Sequence, residues 1–260
     1  IYMSGKSSTT TGEVALLGSW GDVGKDNLLI QALGTGGVHL VGEAPNTTRA
    51  PVSLTSTAVL SASGDITVDG GTRGIHFGRL DTGHTVWGDV TLGSCLASVC
   101  SNSLVTSSTA NVNLIGNRIT TVDAASNLNT FINTSGTASI LPVTGTKAFT
   151  EFQAKTAGLT LSQNLGGLQI GRPGDTTASM TLSKDWKIAG PITVNAGDIV
   201  VSTNVQLETT AEDTSPIRLL TTGRIYTATG ADLITNGSDV VLWTAVDKVN
   251  GTAKPASNIY

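Results

Sequence analysis

Charge is what this chain has least of. Asp, Glu, Lys and Arg make up 13% of its 260 residues, about half the usual share of roughly 25%. With a formal charge of −4 and no basic stripe, neutralisation of nucleic-acid phosphates is excluded as a mode of binding. Aromatic residues stand at 4%, so a core must be built from aliphatic side chains. No apolar run approaches the roughly 20 residues of a membrane-spanning helix. No cleavable signal segment opens the chain, and its first residue is Ile. The expectation is a processed product or a section of something longer.

Recognisable chemistry is scarce too. There are two cysteines, Cys95 and Cys100, in TLGSCLASVCSNS. They lack CxxC spacing and have no His nearby, which disfavours a metal site. A disulfide closing a short corner loop in an oxidising compartment and two reduced, buried small residues both remain open. The three histidines, His39, His76 and His84, show no metal-ligand spacing. There is no Gly-x-Ser-x-Gly elbow and no Ca²⁺-binding nonapeptide. Gly5-Lys6-Ser7 lacks the upstream glycine of a phosphate loop. No catalytic, cofactor or metal residue is therefore assigned, and an enzyme is not expected.

Small residues fill the space that charge vacates. Thr, Ser, Asn and 31 Gly punctuate short β-branched runs, and hydrophobic content still reaches 39%. The pieces GLTLSQNLGGLQIG, PITVNAG, DIVVSTNVQLET, PIRLLTTG, RIYTATG, ADLITNG and SDVVLW each break before a helical turn could repeat. They read as strands of three to five residues, and from Ile217 to Trp243 they recur about every seven residues. The pattern predicts an all-β parallel β-helix, or β-solenoid, with about 20–25 residues per coil. GDITV at 64–68 and GDVTL at 88–92 stand 24 apart, about the length expected of one coil. Relatives of this motif occur at 190–194, 197–201 and 238–242.

The expected inward set is Ile66, Val68, Val90, Leu92, Ile192, Val194, Ile199, Val201, Ile217, Leu219, Ile225, Leu233, Val240 and Leu242. Thr67, Thr91, Thr193 and Thr235 alternate with them and should face outward. Residues 1–63 read as N-terminal coils or an edge segment and 64–125 as solenoid coils. Residues 126–158, with Phe131, Phe149 and Phe152, read as a less regular excursion or hairpin in the middle. Regular coils return over 159–243, and 244–260 form a polar exit segment.

Two stretches carry a resemblance: LGGLQIGRPGDTTASMTLSKDWKIAGPITVNAGDIVVSTNVQL and PIRLLTTGRIYTATGADLITNGSDVVLWTAVDKVNGT. They are similar to coils of filamentous-haemagglutinin-like adhesins of bacterial surfaces. That resemblance implies a right-handed β-helix, secreted or held at the cell surface, acting as a structural or adhesive fibre. The Asn-Pro-Asn motifs of the family's secretion-recognition domain are absent, so the stretch resembles shaft. Expected partners are further coils of the same long chain or copies of itself, and host or environmental glycans. Nucleic acid and membrane insertion are not expected.

Alternatives are a self-assembling filament subunit joined by coil stacking or strand donation, a carbohydrate-active β-helix enzyme, and a Thr-faced lattice binder. The enzyme would need paired carboxylates. Asp65, Asp69, Asp89, Asp198 and Asp239 are candidates by type, yet Asp65, Asp89, Asp198 and Asp239 share one corner position before a strand, where local backbone capping explains them. Trp87 and Trp243 end strands, and each could pack a corner or contact a surface ligand such as a sugar. Trp20 and Trp186 pose the same choice.

Overall fold

The computed structural model describes residues 2–3, 6–9, 14–18, 21–23, 28–42, 52–54, 57–77, 90–95, 103–121, 130–144, 148–149, 151–153, 158–176 and 179–244. Among these it is all-β: 27 strands and one short 3₁₀ turn, Gly71–Arg73. Within every sheet, hydrogen-bonded neighbours are not consecutive strands but every third one in sequence, and the pairs are parallel. Parallel neighbours require a crossover between them. Here the two intervening strands supply it, so three lines of strands advance together.

One line is a nine-stranded sheet. In spatial order it holds Val14–Gly18, Val38–Gly42, Ile66–Asp69, Val112–Ile115, Thr137–Leu141, Gly167–Ile170, Ile192–Ala196, Ile217–Thr221 and Val240–Trp243. A six-stranded sheet runs from Tyr2–Met3 to Glu151–Gln153, and another from Lys6–Thr9 to Leu159–Leu161. Two three-stranded sheets keep the same rule, ending in Ile225–Thr227 and Asp232–Thr235.

Alternation along each strand explains the core. Because side chains point to opposite faces with period two, Ile192 and Val194 go inward while Thr193 stays out. In-register pairing then piles one row from Val38 through Ile66, Val112, Ala138, Leu168, Ile192 and Ile217 to Val240. A second row runs from Leu40 through Val68, Leu114, Ile140, Ile170, Val194 and Leu219 to Leu242. Of the expected inward set, the eleven residues from Ile66 to Ile225 are buried to 2% exposure or less. Leu233 and Leu242 pack against the same cluster while only partly covered, and Val240 is 42% exposed. All three lie in the last strands, which have a neighbour on one side only.

Spacing between paired residues is 24, 25 and 23 along Leu168, Ile192, Ile217 and Val240. Earlier it widens to 28 from Val38 to Ile66 and 30 from Ala138 to Leu168, with a step of 46 from Ile66 to Val112. The repeat of 20–25 thus holds at the start, where Lys6 pairs with Leu29 and Val14 with Val38, and again at the end, with longer steps between. GDITV and GDVTL are not one coil apart: Ile66 pairs with Val112, whereas Val90 lies in a different sheet, between Thr57 and Thr130. Within 126–158, Thr130–Asn133 and Thr137–Leu141 are strands with parallel partners on both sides. Glu151–Gln153 pairs with Arg118–Thr121, and Phe149 is buried at 4% exposure.

The widest departure sits instead between Val90–Gly93 and Val112–Ile115. Val105 from this connection packs on the outer face of a six-stranded sheet with Leu29, Ala58 and Leu60. Cys95 N–H donates to the Val105 carbonyl at 3.0 Å, and Leu104 N–H donates to Gln31 Oε1 at 3.1 Å. Thr91, in line with Ala58 on that face, is consequently buried rather than exposed. Cys95 is disulfide-bonded; Cys100 lies outside the described residues.

Candidate functional site

The outer face of the nine-stranded sheet carries side chains that the core does not use. In register, one row runs Asn113, Ser139, Gln169, Thr193, Arg218, Val241. A neighbouring row runs Asn195, Leu220, Trp243. Trp243 is 57% exposed. A groove of about 300 Å³ opens on this face, walled by Pro173, Pro191 and Leu220 and lined by Ser139, Gln169, Thr193 and Asn195. Its lining contains no ionisable side chain. Gln169 is aligned there by donation from Nε2 to the Gly171 carbonyl at 3.3 Å.

Two glycines shape this groove for different reasons. At Gly190 a Cβ would overlap the Gly166 carbonyl one level away on the same strand line, so close approach of backbones demands glycine. At Gly167 a Cβ would meet only Pro191, at an ordinary 3.5 Å. Packing therefore does not require glycine at 167, and the absence of a side chain there keeps the groove floor low beside Pro191. In the sequence, the signal was the Gly166-Gly167 pair leading into an alternating strand, read there only as strand punctuation.

The candidate carboxylates do not converge. Asp65 and Asp239 precede strands of the long sheet, whereas Asp198 precedes Ile199–Val201 in another sheet. Asp89 lies outside the described residues. Capping is local at Asp69, whose Oδ1 accepts from Gly71 N–H at 2.8 Å, but it reaches further at other corners. Asp198 Oδ1 accepts from Arg224 N–H at 2.7 Å, 26 residues on, and Asp65 Oδ1 accepts from Asn111 Nδ2 at 3.0 Å. Asp185, Asn111 and Asn117 accept from the amides of Gln206, Thr137 and Val143 in the same fashion. Corner side chains thus tie one level of strands to the next, satisfying amides that turn away from the ladders.

Trp186 is buried in the core at 3% exposure, which settles packing for that residue. Trp20, Trp87 and His84 lie outside the described residues. His76 Nδ1 is 2.6 Å from Thr120 Oγ1 across a strand pair. No group of three or more His, Cys, Asp or Glu is placed to hold a metal ion among the described residues.

One cation is perturbed. Lys184 Nζ donates to Thr160 Oγ1 at 2.7 Å, and partial burial pushes its pKa below the ordinary 10.5. A lowered lysine pKa means that the charged form is disfavoured by folding, so the penalty is present below the lowered value. It vanishes above 10.5, where both states are neutral. Lys184→Met is expected to raise the melting temperature slightly at pH 7, with the gain shrinking as pH climbs toward 10.5. Thermal melts across that range check the trend.

No protein family, curated protein or solved structure matches this chain.

Proposed function

We propose that this chain is a section of a right-handed parallel β-helix that serves as a stiff extracellular spacer for attachment, without enzymatic activity. The observation that carries it is the third-strand parallel pairing around two unbroken aliphatic rows. Such an arrangement hides apolar side chains only by stacking one coil on another, so length and outer surface are its usable properties. The disulfide at Cys95 fits an oxidising compartment. The resemblance to filamentous-haemagglutinin-like adhesins supports the same setting.

Nine strands at about 4.8 Å spacing give a stack roughly 40 Å long. Negative-stain electron microscopy and small-angle scattering should return an elongated particle of that order. An isotropic particle would overturn the proposal, as would release of reducing or unsaturated ends from polysaccharides.

A second reading, a filament subunit, is favoured by an exposed aliphatic side chain on the last described strand. Val240 is 42% exposed, while Ile217, its partner one level below, is at 0%. Among the described residues, three strands at this end, Ile225–Thr227, Asp232–Thr235 and Val240–Trp243, have a partner on one side only, as do Tyr2–Met3, Lys6–Thr9 and Val14–Gly18 at the other end. Head-to-tail stacking of such ends does not close and yields fibres. Sedimentation velocity should show mass rising with concentration, and Val240→Lys should abolish the rise. A concentration-independent monomer leaves the spacer and removes the filament.

A further inference from the structure

We infer that the groove on the outer face of the nine-stranded sheet is a binding subsite for a neutral oligosaccharide. The inference deepens the attachment reading and rests on it for its setting, since it names what the spacer would hold.

The chemistry of the lining narrows the ligand. No ionisable side chain lines the groove, and Arg218, paired with Thr193 at its rim, is outside the lining, so neutral hydrogen-bonding groups dominate the site. Hydroxyl and amide groups from Ser139, Gln169, Thr193 and Asn195 both donate and accept, as a polyhydroxy ligand does. Proline and leucine walls offer apolar contact for the C–H faces of a sugar ring. An extended peptide is recognised chiefly through main-chain bonds at a sheet edge. Here the strands Thr137–Leu141, Gly167–Ile170 and Ile192–Ala196 each have parallel partners on both sides, so their main-chain groups are already used. Only side chains remain to do the recognising.

Geometry argues for more than one ring. Asn195 aligns with Leu220, and Leu220 with the exposed Trp243. Strands lie about 4.8 Å apart, so the indole stands roughly 10 Å along the sheet from the Asn195 position. A chain of sugars laid across the strands reaches from the groove to a stacking platform. A disaccharide held in the groove does not. The low floor at Gly167 gives the first ring its depth.

The test uses the full chain and neutral hexasaccharides of β-1,4-linked glucose, α-1,4-linked glucose and β-1,4-linked N-acetylglucosamine, with a heparin hexasaccharide as the charged comparison. Calorimetric titration should find saturable binding of at least one neutral hexasaccharide and weaker binding of its disaccharide. Gly167→Leu, which fills the floor, and Gln169→Ala should each weaken the hexasaccharide about tenfold, as expected for loss of shape or of one buried polar contact. Trp243→Ala should weaken the hexasaccharide and leave the disaccharide unchanged.

Absence of binding by every neutral hexasaccharide overturns the inference. So does binding indifferent to both groove variants, or a preference for heparin, which would place recognition at Arg218, at the rim beside Thr193. Electron microscopy of the same samples separates the two claims. Intact elongated particles that bind no saccharide sink the subsite alone, and absence of elongated particles sinks the spacer.

Discussion

Ile192→Ala is expected to cost about 2–5 kcal/mol of folding free energy, the range for truncating a fully buried aliphatic side chain. Ile192 is at 0% exposure and sits in register between Leu168 and Ile217, so the hole it leaves is bounded by strands on both sides. The surrounding ladders cannot close in without losing hydrogen bonds. Thr193→Ala, one residue along and on the outer face, should change stability by no more than about 0.5 kcal/mol. Leu242→Ala should fall between the two, because its strand has a neighbour on one side only. Denaturant titrations of the three variants check the order. Equal losses at 192 and 193 would mean that inward and outward positions do not differ, and the stacked core would have to be abandoned.

Gly190→Ala should be nearly as damaging, although it adds a single methyl group. That methyl would overlap the carbonyl of Gly166, and the obstacle is backbone rather than a side-chain tip that could swing aside. Relief requires the two levels to part, which strains the 2.9 Å bond from Gly190 N–H to the Leu165 carbonyl. The expected cost is at the upper end of the roughly 1–3 kcal/mol typical of overpacking, or above it. Gly167→Ala, 23 positions earlier, should be close to neutral because its methyl makes ordinary contact with Pro191. Thermal unfolding of the pair makes the comparison directly. A destabilising Gly167→Ala would show that the groove floor is held open by packing demands.

Inward and outward assignments were legible along the strands because period two is written locally. Ile192-Thr193-Val194 and Ile217-Arg218-Leu219 disclose their buried faces without any knowledge of partners. Which strand meets which was not legible. All the sheets face one shared core, so their strands draw on the same aliphatic vocabulary, and GDITV, GDVTL and GDIVV mark the start of a strand without marking its sheet. Asp198 illustrates the same gap: its type and position suggested an amide bond, but the amide belongs to Arg224, a whole circuit away. Thr91 failed for another reason. Its cover comes from the connection that carries Val105, and alternation along one strand says nothing about what folds over it. The groove escaped notice because it depends on Gly167 and Pro191 being adjacent across strands, 24 residues apart in sequence.

The step from Ile66 to Val112 carries a lesson for how such a molecule could change over time. Forty-six residues pass before the chain re-enters the long sheet, yet Val112 and Leu114 settle squarely on Ile66 and Val68. What the architecture enforces is alignment on return, with little regard for the distance travelled meanwhile. Corners of this kind can accept new sequence without retuning the interior, so surface novelty and internal conservatism can evolve independently in one polypeptide.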